Sequence, residues 1–267
     1  MSVYKNDKPE YLIEAFDSIV NQTLVPAEIV LVEDGPVTEE LEKIVVEYEK
    51  KYSSIMNVVR CEKNGGLGEA LRIGVENAHF DYIARMDSDD ISHPERFEKQ
   101  LHFMIEHPEV DICGGDAAKF TTTPDEIIGY RRPKFTDKEL KEQLKDKPPF
   151  CHVTIMAKKD AILKAGNYVE IFNQEDYYMW ARMAKCGCIF ANIPEILVYV
   201  RLVGVGGRRG GWKYFKNEMF MQNYLLESRI IGLPKYCMHV VEKFVIEILM
   251  TAKMREWAYK TLIKAKN

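Results

Sequence analysis

The sequence predicts an α/β domain on a Rossmann-like, mostly parallel central sheet flanked by helices, with a C-terminal helical extension. Short apolar runs alternate with helical patterns through the first third of the chain, the rhythm of βαβ units. The runs end in polar turns, as strands of an open sheet do where ligands bind. From Trp212 onward, apolar residues recur every three or four positions and no strand pattern interrupts them.

Each element has its own signal. Met1-Ser2-Val3-Tyr4 reads as a strand end, and Asp7-Lys8-Pro9 opens a helix in which Leu12, Phe16 and Ile19 form the buried stripe. Glu28 to Val32 is a continuous apolar strand that runs into Glu33-Asp34-Gly35-Pro36. Thr38 caps the next helix, and Asn57 to Cys61 is a third strand. Lys63-Asn64-Gly65-Gly66-Leu67-Gly68 leads into a helix through Val75, and Phe80 to Arg85 is a fourth strand. Further on, Asp111 to Phe120 reads as a strand and Thr121 to Pro133 as a loop. Thr136-Asp137-Lys138-Glu139 is a capping box, and Cys151 to Ala157 reads as a strand. A helix follows near Lys159 to Lys164, and a second begins at Glu175-Asp176.

Met86-Asp87-Ser88-Asp89-Asp90 organises the rest. Three carboxylates in four positions repel one another unless a cation or a donor-rich ligand shares the turn. Hard oxygen ligands at this density suit Mg²⁺ or Mn²⁺. Ser92-His93-Pro94-Glu95 then reads as a second capping box. The glycine loop lacks the Gly-x-Gly-x-x-Gly and Gly-x-x-x-x-Gly-Lys-Ser/Thr spacings, which argues against a dinucleotide fold and a P-loop NTPase.

Composition sets the outer bounds. With 267 residues, 46% hydrophobic content and a net charge of -4, the chain is globular and has no global charge for nucleic-acid binding. Six cysteines form no Cys-x-x-Cys pair and read as buried thiols of a reducing compartment. No signal-peptide pattern and no membrane-spanning apolar run are visible. The expected location is cytoplasmic, extending to the inner face of the membrane if the tail binds lipid.

In this order, Ser2-Val3-Tyr4, Glu33-Asp34-Gly35-Pro36, Asn64-Gly65-Gly66-Leu67-Gly68, Ala84 to Ser92, Glu175-Asp176 with Trp180, and Arg201 with Arg208-Arg209 resemble family-2 glycosyltransferases of the GT-A fold. The nearest likeness is to bacterial enzymes of capsule, exopolysaccharide and O-antigen synthesis. The resemblance implies a catalytic domain over 1–205, with a nucleotide-binding half at 1–119 and an acceptor-side half at 120–205, and a helical extension over 206–267. It implies inverting transfer from a nucleoside-diphosphate sugar to a glycan or lipid-linked acceptor. Ser2, Val3 and Tyr4 would line the base pocket, Asp34 would bind the base, and Glu33 would stand near the ribose. Asn64 and Gly65 would close over the nucleoside, with Asp87 and Ser88 on the same side. Asp89 would bind Mn²⁺ or Mg²⁺, and Asp176 would be the catalytic base. A carboxylate at a helix start is expected to stay ionised. Arg201, Arg208 and Arg209 would face the diphosphate, and His152, Glu175 and Trp180 the acceptor.

Two departures from the family pattern stand out. Val200-Arg201-Leu202-Val203-Gly204 lacks the histidine that many relatives use as a further metal ligand. Relatives also carry several apolar residues ahead of the position of Ser2, which leaves an inactive donor-binding relative as one alternative. A sugar nucleotidyltransferase is a second alternative, disfavoured because Tyr4-Lys5-Asn6-Asp7 is not a glycine- and arginine-rich loop. In the tail, helices are expected over Trp212 to Ile231 and Tyr236 to Ile263; Lys235, Lys243, Lys253, Arg255, Lys260, Lys264 and Lys266 make the last one basic, which suits a membrane surface as well as packing on the catalytic domain or on a second copy of the chain.

Overall fold

The computed structural model describes residues 1–171, 173–202, 211–251 and 254–255. Strands β1 (Ser2–Val3), β2 (Ile29–Glu33) and β3 (Met56–Arg60) form a parallel sheet in that order. Helices α1 (Pro9–Val20) and α2 (Glu39–Lys51) connect them, and α3 (Leu67–Asn77) leaves β3. Pro9 sits in the first turn of α1, where its missing N–H costs nothing. The Thr38 Oγ1 accepts from the Leu41 N–H at 3.3 Å and caps α2. Leu12, Phe16, Leu31, Leu41, Val45 and Tyr48 close this core, each worth about 1.5–3 kcal/mol of burial.

The second sheet is mixed. Its strands are β4 (Tyr82–Ala84), β5 (Ile91–Ser92), β6 (Ile112–Phe120), β7 (Ile127–Arg131), β8 (Met156–Lys158) and β9 (Phe190–Arg201). They lie in the order β4-β8-β6-β9-β5, with β7 on β6. Only β6 and β9 pair in parallel; the other pairings are antiparallel. Helices α4 (Arg96–Glu106), α5 (Asp137–Leu144), α6 (Lys159–Lys164) and α7 (Glu175–Lys185) pack on it, with α8 (Trp212–Glu227) and α9 (Leu233–Phe244) beyond α7. Trp180, Phe150 and Phe190 are fully buried at its centre.

Several expectations need correction. The fourth strand does not continue the parallel sheet: β4 bonds to β8, and an apolar cavity of about 450 Å³ lies between it and β2. Ser92 does not cap a helix. It pairs with Val198 in β5, its N–H donates to the Ser18 Oγ at 3.0 Å, and Glu95 turns to Lys99 at 2.9 Å. The strand expected over Cys151 to Ala157 begins only at Met156. His152–Thr154 is one turn of 3₁₀ helix, because the Thr154 hydroxyl bonds back to the Cys151 carbonyl at 2.9 Å. The loop expected over Thr121 to Pro133 contains β7, an edge strand whose alternate residues face solvent and so carry little hydrophobic signal. The second tail helix ends at Phe244 with a π turn over Val245–Leu249, and much of 250–267 lies outside the described residues.

Candidate active site

The end of β4 carries the acidic turn. Arg96, fully buried, donates to the Arg85 carbonyl at 2.8 Å and the Ile155 carbonyl at 3.1 Å, and so anchors the last residue before the turn. Burial lowers its pKa to about 9. The Arg85 side chain is buried and holds both oxygens of Asp87 in a fork–fork pair, one contact at 2.5 Å. Asp90 is buried and accepts the Arg201 N–H at 2.8 Å. Asp89 is half-buried, and burial followed by the charges of Asp87 and Asp7 raises its pKa to about 6. Carboxylate oxygens of Asp87, Asp89 and Asp90 all lie within 4.8 Å of one another. Asp87 and Asp90 are thus held by the protein, and among the described residues Asp89 has no side-chain partner. Three crowded acids, one of them uncommitted, fit a divalent cation.

Two more loops reach the same edge. The Asp34 carboxylate accepts the Gly65 N–H at 2.6 Å, the Gly66 N–H at 3.1 Å and the Asn64 Nδ2 at 2.8 Å. Gly68 must be glycine for space: a Cβ there would lie 2.7 Å from the Val169 carbonyl oxygen. The Asp34 N–H donates to the Val3 carbonyl at 2.8 Å, which brings the end of β1 beside this loop. Val3 itself is core, whereas the Tyr4 ring is exposed. Ser88 donates to Asp7 at 2.8 Å, tying the acidic turn to the loop after Tyr4. Tyr4, Asp34, Asn64, Gly65, Asp87 and Ser88 therefore share one edge.

Glu33 turns the other way, as alternation along a strand requires. It faces Arg60 at 3.6 Å, with Glu42 and Glu49 around the same guanidinium. Burial, then Glu42, raises its pKa to about 7. A carboxyl whose folded pKa exceeds its ordinary 4.5 loses stability as pH rises from the lower value to the upper one. Glu33→Gln should therefore raise the melting midpoint at pH 8, by about 1 kcal/mol of stability, and the gain should vanish below about pH 4. Thermal unfolding at both pH values checks this, and an equal gain at both would refute it.

The start of α7 also lies within electrostatic reach of Arg85. The Asp176 Oδ1 accepts the Tyr177 N–H at 2.6 Å. Its pKa is raised, chiefly by burial, with the Tyr177 bond, Arg131 and Arg85 opposing. Glu175 is raised to about 7, again chiefly by burial. At both carboxyls desolvation outweighs the dipole of α7. The Arg85 charge acts on Asp87 and Asp90 and also on Glu175 and Asp176.

His152 lies within hydrogen-bonding distance of the Tyr168 hydroxyl at 3.0 Å, and burial holds its pKa well below the usual range. Trp180 is fully buried against Phe150 and His152, so its face toward any acceptor is covered. Arg201 is buried: its Nε donates to the Asp89 carbonyl at 3.1 Å, its guanidinium pairs with Glu14, and it stacks on Tyr11 and Phe120. Arg208 and Arg209 lie outside the described residues. Sequence reasoning assigned no role to Arg85, Asp7 or Arg131. The signal for Arg85 was present, as a cation closing an apolar strand two residues before Asp87. Asp7 lies 81 residues from Ser88, and no local pattern joins them.

Comparison with known proteins bears on this arrangement. Residues 1–166 match the family described as Glycosyl transferase family 2. An uncharacterized glycosyltransferase of Haemophilus influenzae is 37% identical over 99% of this chain and 97% of its own length. The amylovoran biosynthesis glycosyltransferase AmsE of Erwinia amylovora is 34% identical over 97% and 96%. The UDP-Gal:alpha-D-GlcNAc-diphosphoundecaprenol beta-1,3-galactosyltransferase of Escherichia coli is 31% identical over 99% and 95%. Among solved structures, S. aureus TarS 1–349 in complex with UDP-GlcNAc superposes with a TM-score of 0.66 at 16% identity, over 91% of this chain and 71% of that one. This chain spans 42% of the longer TarS structure. The mannosyltransferase PcManGT of Pyrobaculum calidifontis, in complex with GDP-Man and Mn²⁺, gives 0.61 at 14% identity, over 100% and 74%. These likenesses support the GT-A fold.

Proposed function

Because the chain belongs to glycosyl transferase family 2, we propose that it moves a sugar from a UDP-linked donor to a lipid-linked acceptor in surface polysaccharide synthesis, with inversion at the anomeric carbon. The observation that carries this reading is the cluster of Asp87, Asp89 and Asp90, with Glu175 and Asp176 on a separate helix within electrostatic reach of the same Arg85. The donor and acceptor follow the E. coli relative, whose name gives UDP-Gal and a diphosphoundecaprenol-linked sugar.

Asp34 and Asn64 would hold the base, with Gly65 and Gly66 closing behind it. Asp89 would hold Mn²⁺ or Mg²⁺, while Arg85 holds Asp87 oriented beside it. The ion would act as a Lewis acid toward charge developing on the diphosphate. Asp176 would accept the proton of the acceptor hydroxyl. Displacement in one step needs a base on the face opposite the leaving group, which suits a carboxylate on a different element from the metal turn. Burial keeps the Asp176 pKa above that of a free carboxylate, which strengthens it as a base. Arg201 would act indirectly, by holding the Asp89 carbonyl and the Asp90 carboxylate to α1 and β6.

The test is a calorimetric titration with UDP and Mn²⁺, followed by donor hydrolysis across a panel of nucleotide sugars. Metal-dependent UDP binding with turnover of one donor supports the reading. UDP binding without turnover of any donor would make the chain a binding protein, and no UDP binding would overturn both.

A further inference from the structure

Helix α9 is turned the wrong way for a soluble packing helix. The side chains it directs at the protein are polar. Lys235 pairs with Asp146 at 2.8 Å, His239 lies 2.7 Å from Gln222 and 3.2 Å from Asp146, and Lys243 pairs with Glu218 at 3.0 Å. Tyr236 donates to Asn223 at 2.8 Å. Apart from Glu242 at one margin, the side chains it directs outward are apolar: Met238 is 56% exposed, Val241 63%, and Leu249 in the following turn 62%. Phe244 and Val245 are exposed on the same side, and the Trp212 ring, 62% exposed, lies 6.5 Å from Phe244. At about 100° per residue, positions 234, 237, 238, 241 and 244 spread over roughly 120° of the helix, wider than the two-position seam of a coiled coil. An amphipathic helix with its polar side satisfied by its own domain and its apolar side in water needs another apolar phase.

We propose that this face is a docking surface for a lipid bilayer, with α9 lying in the plane of the interface. The proposal rests on the lipid-linked acceptor read above. Two further observations favour lipid over a second copy of the chain. Trp212 at the margin of the face is a side chain suited to the headgroup boundary, apolar in body and polar at one edge. A polar strut also joins this helix to the acceptor side: Lys243 holds Glu218, and Glu218 accepts the Gln174 amide at 2.8 Å. Gln174 immediately precedes Glu175 and Asp176 at the start of α7. A membrane under α9 would therefore present a lipid-anchored hydroxyl on the side of the molecule where the base lies.

The physical basis differs from the basic helix expected from sequence. Lys235 and Lys243 face inward and are paired, and the Arg255 guanidinium donates to the Met250 carbonyl at 2.6 Å. Lys253, Lys260, Lys264 and Lys266 lie outside the described residues. Docking through this face is apolar, so it should occur on zwitterionic phosphatidylcholine vesicles and resist salt.

The experiment is co-sedimentation of the full chain with phosphatidylcholine vesicles at low and high salt, with light scattering for its mass in solution. The expected result is partition that changes less than about twofold with salt and falls at least about tenfold in Met238→Gln/Val241→Gln/Leu249→Gln. UDP binding and the melting midpoint of the variant should stay at parental values. If the triple variant unfolds, Val241→Gln alone should still lower partition about threefold. Loss of parental partition at high salt would overturn apolar docking. A parental dimer that the triple variant converts to monomer, with no vesicle binding by either, would assign the face to self-association instead. The measurement needs no donor or acceptor, so a failure of transfer would sink the proposed function and leave this result standing.

Discussion

Asp176→Asn should lower sugar transfer by about 10²–10⁴-fold, the range for loss of a general base, while UDP and Mn²⁺ bind within about twofold of the parent. Asparagine keeps the size of the side chain and an oxygen for the Tyr177 N–H, so α7 should keep its first turn. What it removes is the proton acceptor. Burial raises the Asp176 pKa. The parental rate should therefore fall with acidification at a pH above the ordinary carboxylate range, as the base becomes protonated. That acid limb should be absent from the residual activity of Asp176→Asn. Glu175→Gln, which keeps Asp176, should retain both most of the rate and the limb. If Glu175→Gln loses the rate and Asp176→Asn keeps it, the base is Glu175, whose pKa of about 7 would place the limb near neutrality. If both variants keep it, the pair only caps α7 and the mechanism is wrong.

Asp89→Ala should abolish the stimulation of UDP binding by Mn²⁺, a loss of about tenfold or more in affinity, or at least ~1.4 kcal/mol. The expectation follows from the division of labour in the turn. Asp87 is held in a fork by Arg85, and Asp90 by the Arg201 backbone, so each is committed to the protein before any ion arrives. UDP affinity without metal should hardly change, because Asp34, Asn64 and Gly65 are untouched. Titrations with and without Mn²⁺ check both statements. A variant that binds UDP with Mn²⁺ as tightly as the parent would move the metal to Asp87 or Asp90.

Much of this architecture was legible in the order of the residues. The Pro9 and Thr38 helix starts and the Thr136 capping box are local, and local signals survive in a sequence; the parallel pairing of the first three strands followed from their alternation with helices. The acidic turn was legible for the same reason, since three carboxylates in four positions have few stable surroundings. What failed was set by partners distant in the chain. Ser92 carries the signature of a helix cap, but Ser18 and β9 claim its backbone and Gln22 lies 3.2 Å from its hydroxyl. Tyr82–Ala84 has the apolar run of a parallel strand, yet its hydrogen bonds go to β8, over seventy residues away.

By itself the sequence determined which chemistry is on hand: a cluster of hard oxygen ligands at a strand end, a glycine loop beside a second acid, and a carboxylate pair opening a late helix. Residue type and short spacing settle such things, because they depend on charge and reach within a few bonds. Only the tertiary structure decided how those groups behave. It put the Arg85 guanidinium within electrostatic reach of both acidic clusters, turned Glu33 away from Asp34, and raised the carboxyls of Asp89, Glu175 and Asp176 by burying them. It also turned the apolar face of α9 to solvent, which the same helical period in the sequence would equally have allowed to face inward. Periodicity specifies that a helix has two faces, but which face meets the protein depends on what the protein offers beneath it. Here that is Asp146, Glu218 and Gln222, and they select the polar side.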